Sequence, residues 1–118
     1  MGGFIDNEVV GQPGYVAPYA HGAGFAQCDR TDLVACSDFR KDLMDHFGVQ
    51  YDVPKMNQYT DYKKMVSRED LDILSVAVHV EHHADIVVHA AENGVPSIFC
   101  EKGLAPSLAD ANLSLIHI

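Results

Sequence analysis

The sequence predicts an α/β fold: a parallel sheet with helices on both faces. Three observations carry that prediction. Ile73-Leu74-Ser75-Val76-Ala77-Val78 is a near-continuous apolar run rich in β-branched residues, the pattern of a strand covered on both sides. Residues 82–93 follow with Ala84, Val87, Val88 and Ala91 at i, i+3, i+4 and i+7, one apolar helical stripe closed by Gly94. Val95 to Cys100 then gives a second strand. Strand, helix and strand joined by short connections are how parallel sheets are wound.

The other elements are shorter. Residues 1–20 hold four glycines and two prolines and read as loop. A short helix is expected from about residue 19 to Cys28, weakened by Gly22 and Gly24 at about 1 kcal/mol each relative to Ala. Leu33 to Cys36 is a short buried strand bounded by polar residues. Phe39 to Phe47 is amphipathic, with Gly48 placed where a helix-ending glycine belongs. A loop containing Pro54, a short strand at Gln58–Tyr59 and a helix from Tyr62 to Val66 complete the first half. Near the end, Ser107 with Asp110 three residues on predicts a capping box.

Composition bounds what such a domain binds. Lys plus Arg is 8 and Asp plus Glu is 17 in 118 residues, a net charge of −9. That balance argues against nucleic-acid backbone and anionic membranes, which both need clustered cations. No apolar run reaches the roughly 20 residues of a membrane helix, and no secretory leader is expected. Three cysteines, Cys28, Cys36 and Cys100, with no C-x-x-C pair, point to structural thiols in a reducing, cytoplasmic setting.

Several segments together carry a resemblance. Leu33-Val34-Ala35-Cys36-Ser37-Asp38 resembles a dinucleotide-binding second strand with its terminal acid. Asp70 to Ala77, then His83-Ala84-Asp85-Ile86-Val87, Glu101-Lys102, and Leu104 to Ala111 resemble, in order and spacing, motifs of the Gfo/Idh/MocA family of NAD(P)-dependent oxidoreductases. The resemblance implies a Rossmann-like fold over residues 1–111. The fold would be incomplete, with its first strand and the family's C-terminal α+β domain missing. Residues 112–118 read as an artefactual tail outside the family pattern. Losing a central strand would remove roughly 5–12 kcal/mol of burial, so the isolated polypeptide is expected to be marginal or unfolded.

The family pattern also implies site residues. Gly2, Gly3, Phe4 and Ile5 resemble the end of a phosphate-binding fingerprint, whose glycines let backbone approach a pyrophosphate. Gly22-Ala23-Gly24 is a near miss without room for the helix, and is set aside. Asp38 would accept hydrogen bonds from the adenosine ribose and favour NAD, with NADP kept open by Arg40 nearby. As a helix cap Asp38 would be unremarked. Val78 and His79 stand where the family lines its nicotinamide pocket, and His83 would face the cofactor cleft. Lys102 is the implied catalytic residue, a cation beside the developing alkoxide, with Glu101 binding ribose or orienting it. Gly103 replaces the family's proline. Taken cold, Lys102 would be a surface ion pair worth 0 to about 1 kcal/mol. His79, Glu81, His82 and His83 suggest a metal at first sight, but their spacing fits no zinc motif and no metal is expected.

The function implied is the cofactor-binding part of an oxidoreductase. Its parent would move hydride between NAD(P) and a hydroxyl or carbonyl carbon of a sugar, polyol or inositol, as a homo-oligomer. The alternative is a non-catalytic nucleotide-binding or regulatory module.

Overall fold

The structure is a computed structural model that describes residues 20–117. These fall into two compact units divided between Asp61 and Tyr62.

The first unit opens with helix α1 (His21–Gln27). Its Gly22 is explained by packing: a Cβ there would stand 2.8 Å from Phe47 Cε2. Strand β1 (Cys36–Ser37) leads into helix α2 (Lys41–Gln50), a 3₁₀ turn (Lys55–Asn57) and strand β2 (Gln58–Tyr59). β1 and β2 are parallel, with Cys36 opposite Gln58 and Ser37 opposite Tyr59. The strand therefore begins later than the expected Leu33, and Val34 is exposed. Cys36, Met44 and Val53 form the core, flanked by Leu33, Phe47 and Tyr51. Burial pushes the Cys36 thiol up to about 11, with Asp38 and Asp45 adding to the effect and Lys55 opposing it.

The predicted end of α2 is corrected. The helix runs through Gly48, which is buried, and stops three residues later at Tyr51, where Asp52 adopts φ 55°. The Val53 N–H donates to the Gly48 carbonyl at 2.9 Å, which closes a Schellman motif with Asp52 in the position glycine usually holds. Gly48 is small for another reason: a Cβ would collide with the Gln58 side-chain amide, whose Nε2 donates to the Val53 carbonyl at 2.8 Å.

The second unit holds helix α3 (Tyr62–Arg68), strand β3 (Ile73–Val76), a 3₁₀ turn (Val80–His82), helix α4 (His83–Glu92), strand β4 (Ser97–Cys100) and helix α5 (Leu108–His117). β3 and β4 are parallel, Ile73 facing Ser97 through Val76 facing Cys100. α4 joins them as the crossover. Gly94, at φ 81°, ends α4: its N–H donates to Ala91 and the Val95 N–H to Ala90, both at 3.1 Å. Half of the expected capping box forms, the Asp110 N–H donating to Ser107 Oγ at 3.1 Å, while Asp110 Oδ2 takes the Ser107 hydroxyl at 2.6 Å.

Three expectations shift. The buried face of α4 is His83, Ala84, Ile86, Val87 and Ala90, while Val88 and Ala91 are only half-buried. β3 is buried on one face only, through Leu74 and Val76, whereas Ile73 and Phe99 on the other face are 42 % and 53 % exposed. The helix also continues past Ala111 to His117, with Ser114 fully buried and bonded to the Asp110 carbonyl. The whole is Rossmann-like, its described strands forming two parallel pairs.

Candidate functional site

In the first unit the polar residues gather after β1. The strand is short because Cys36 and Ser37 alone pair with β2; the Asp38 N–H then donates to the Tyr59 carbonyl at 3.0 Å and fixes where the chain leaves. Asp38 is half-buried. Its Oδ1 accepts the Arg40 N–H at 2.8 Å, an Asx turn and not a cap of α2, whose capping position is Arg40. Its second oxygen has no hydrogen-bond partner among the described residues, so the carboxylate keeps an acceptor edge. Phe39 is 85 % exposed beside it.

Arg40 is committed elsewhere. Its guanidinium donates to Asp42, Nη2 to Oδ2 at 2.7 Å and Nε to Oδ1 at 3.4 Å. That pairing lowers the Asp42 carboxyl and raises Arg40. The partner is an acid two residues on, in plain sequence.

In the second unit two strand ends lie side by side. β3 and β4 run parallel in register, and the Glu101 N–H extends the ladder to the Val76 carbonyl at 2.9 Å. Val78 and His79 leave β3, and Glu101 and Lys102 leave β4, at the same carboxyl edge. In α/β sheets that edge is where ligands bind. Val78, His79 and Lys102 are exposed. The Lys102 N–H donates to Glu101 Oε2 at 3.1 Å, and its ammonium has no ion pair among the described residues.

His83 is not at the surface. It is 1 % exposed, with Nδ1 2.7 Å from the Gly103 carbonyl oxygen and Nε2 3.0 Å from that of Val78. It therefore joins the two strand exits from beneath and offers no atom to a solvent cleft. Nothing in the local sequence marks this. Gly103 itself has φ 80°, which a proline in that place could not adopt.

Gly2, Gly3, Phe4 and Ile5 lie outside the described residues. Among the described residues, no group of three or more His, Cys, Asp or Glu could hold a metal ion, and no helix is long and apolar enough to cross a membrane. Free thiols are Cys28, exposed, Cys36, buried, and Cys100, between the two. Burial, then Glu101, raises Cys100. Cys28 is lowered by hydrogen bonds from the Arg30 backbone and Thr31.

Parallel strands joined by helices, with polar residues at the strand ends, define the class as a Rossmann-type α/β domain. The chain belongs to the Gfo/Idh/MocA oxidoreductase family, NAD-binding Rossmann fold, whose model matches residues 7–115. It is 32 % identical over 83 residues to a D-apiose dehydrogenase of Paraburkholderia graminis, covering 70 % of this chain and 21 % of that protein. A probable dehydrogenase from Thermotoga maritima matches 82 % of this chain and 28 % of its own, at 25 % identity and a TM-score of 0.75. An oxidoreductase from Agrobacterium radiobacter, solved with NAD+, L-tartaric acid and magnesium, matches 71 % of this chain and 24 % of its own, at 27 % identity and a TM-score of 0.65. The chain thus spans between a fifth and three tenths of the length of these relatives.

Taken unit by unit, the chemistry present is of the kind a nicotinamide dinucleotide would use: in the first, a carboxylate with an open acceptor edge, Asp38, at a strand's carboxyl end; in the second, an exposed carboxyl edge bearing Val78, His79 and Lys102.

Proposed function

We propose that this chain binds NAD as the cofactor half of an oxidoreductase acting on a hydroxyl or carbonyl carbon of a sugar or polyol. The observation that carries the reading is the shared carboxyl edge of β3 and β4, where Val78, His79 and Lys102 are exposed and the Lys102 ammonium makes no salt bridge among the described residues. The bound nicotinamide supplies hydride acceptance and donation. The protein's residues orient and stabilise. The open oxygen of Asp38 accepts from ribose hydroxyls, and Val78 gives the ring an apolar contact. Lys102 holds the substrate oxygen and stabilises alkoxide charge as hydride leaves. Glu101, already bonded to the Lys102 amide, orients the loop that carries it.

NAD is favoured over NADP by two local facts. The Asp38 carboxylate repels a 2′-phosphate, by about 1 kcal/mol per charge pair at 4 Å in water and more when partly buried. Arg40, the cation that could offset this, is held by Asp42. We place the protein in the cytoplasm, where free thiols persist.

The test is a dehydrogenase assay on the reading frame that contains this chain, following reduced nicotinamide absorbance with D-apiose, other aldoses, polyols and inositols. The reading expects activity with NAD+ at least about tenfold above NADP+. Lys102→Ala should lower kcat by about 10² to 10⁴. Unchanged turnover in Lys102→Ala would remove the lysine from the mechanism.

A further inference from the structure

His83 opens α4, is 1 % exposed, and spends both ring nitrogens on main-chain carbonyls. Those carbonyls belong to Val78, after β3, and Gly103, after β4. A carbonyl only accepts, so each contact is a hydrogen bond when the facing nitrogen carries the proton. The shorter contact, 2.7 Å, is the one to Gly103.

Lys102 directly precedes Gly103. On its N-terminal side, the Glu101 N–H is bound to Val76 at 2.9 Å. On its C-terminal side, Gly103 turns through φ 80° with its carbonyl on His83. The turn is tight as well as left-handed: a Cβ on Gly103 would sit 3.3 Å from Val80 Cγ2. The Lys102 ammonium makes no hydrogen bond or ion pair among the described residues, so no such partner holds the side chain. Its location depends on the main chain beneath it, and that main chain is pinned at two points.

We propose that His83 is a positioning residue, which fixes the backbone under Lys102 by donating Nδ1–H to the Gly103 carbonyl and touches neither substrate nor cofactor. The proposal rests on Lys102 acting at the reacting carbon. Packing alone does not account for histidine here, because Phe or Leu would fill a buried site without needing acceptors. An imidazole places one N–H donor on the edge of a rigid ring, and the shorter contact, to Gly103, is the one that donor serves.

Backbone ¹⁵N relaxation of the whole chain, without cofactor, tests the latch. His83→Phe keeps a ring and removes the donor; His83→Gln keeps an amide donor. We expect Lys102 and Gly103 order parameters near about 0.85 in the wild type and below about 0.6 in His83→Phe. The β3 and α4 amides should not move, and His83→Gln should recover most of the loss. Equal order at Lys102 and Gly103 in wild type and His83→Phe overturns the proposal. Should His83→Phe not fold, the wild-type imidazole decides: the proposal requires a solvent-protected proton on Nδ1, facing Gly103, and a bare Nδ1 overturns it.

In the active enzyme, His83→Phe should lower kcat by about a hundredfold and leave the KM for NAD+ within about twofold. A loosened loop with unchanged kcat overturns the positioning role. NAD+ titration of the wild type separates the two ideas: no binding there ends the cofactor reading, while the relaxation result still decides the latch.

Discussion

The two parallel strand pairs of this chain are built differently. β3 and β4 pair over four residues each and lie on α4, where Val87 is 2 % and Ala90 0 % exposed. β1 and β2 pair over two residues each, and their unit relies on side-chain ties. Asn57 Nδ2 donates to the Val34 carbonyl at 3.0 Å, Gln58 to Val53, and Lys55 to Asp45 at 2.6 Å. One pair is held by apolar burial, the other by a small core with polar clips. Burial is roughly additive in area, whereas surface ion pairs contribute little each. The comparison therefore predicts unequal sensitivity to the same kind of change.

The largest expected loss is in the core beneath β3. Leu74→Ala should cost about 3–5 kcal/mol. Met44→Ala, in the smaller core of Cys36 and Val53, should cost about 2–3 kcal/mol because flexible neighbours relax into the space. Urea midpoints of the two variants check this, and equal losses would remove the distinction.

Next come the glycines of the second unit. Gly103→Ala should cost about 1–3 kcal/mol, since it adds a close contact with Val80 to a left-handed backbone. Gly94→Ala has the same backbone sign but open space around it, and should cost about 1 kcal/mol. Thermal melts of the pair measure the difference, which is the part due to Val80. Ser107→Ala, which removes the helix cap, should cost about 1 kcal/mol.

The smallest effect belongs to the polar clips. The hydrogen bond from Lys55 holds the Asp45 carboxyl below the usual carboxylate range; desolvation opposes it, and Lys41 adds to it. With the folded pKa below the unfolded value of about 4, the folded state binds fewer protons there. Its stabilising share is present at neutral pH and is lost as pH falls through the folded pKa. Asp45→Asn should therefore lower stability slightly at pH 7 and not at pH 2.5, measured by urea unfolding at each pH.

The same contrast governs how much of the fold the sequence made legible. The run from Ile73 to Val78 and the Gly94 stop needed only hydropathy and a helix-ending signal, and both elements are found there. The run did not reveal that Ile73 and Phe99 stay exposed, because alternation is masked when both faces of a strand are apolar. In the first unit Gly48 looked like a helix end, but its smallness answers to Gln58, ten residues away. The true stop is Asp52, a residue type less often left-handed than glycine. Ser107 with Asp110 was readable because a helix cap is local. Asp38, Glu101 and Lys102 were legible by resemblance to family motifs. The His83 bridge was not, since it depends on carbonyls five and twenty residues away that no side-chain pattern encodes. The Arg40–Asp42 pair lay in plain sequence and bears on NADP as much as Asp38 does.

The central claim is that NAD engages the strand edge bearing Lys102. Titrating the ¹⁵N-labelled chain with NAD+ and following the Val78, Glu101 and Lys102 amides tests it directly. The account predicts that all three shift along one saturating curve. Saturating NAD+ that leaves these amides where they were would contradict it.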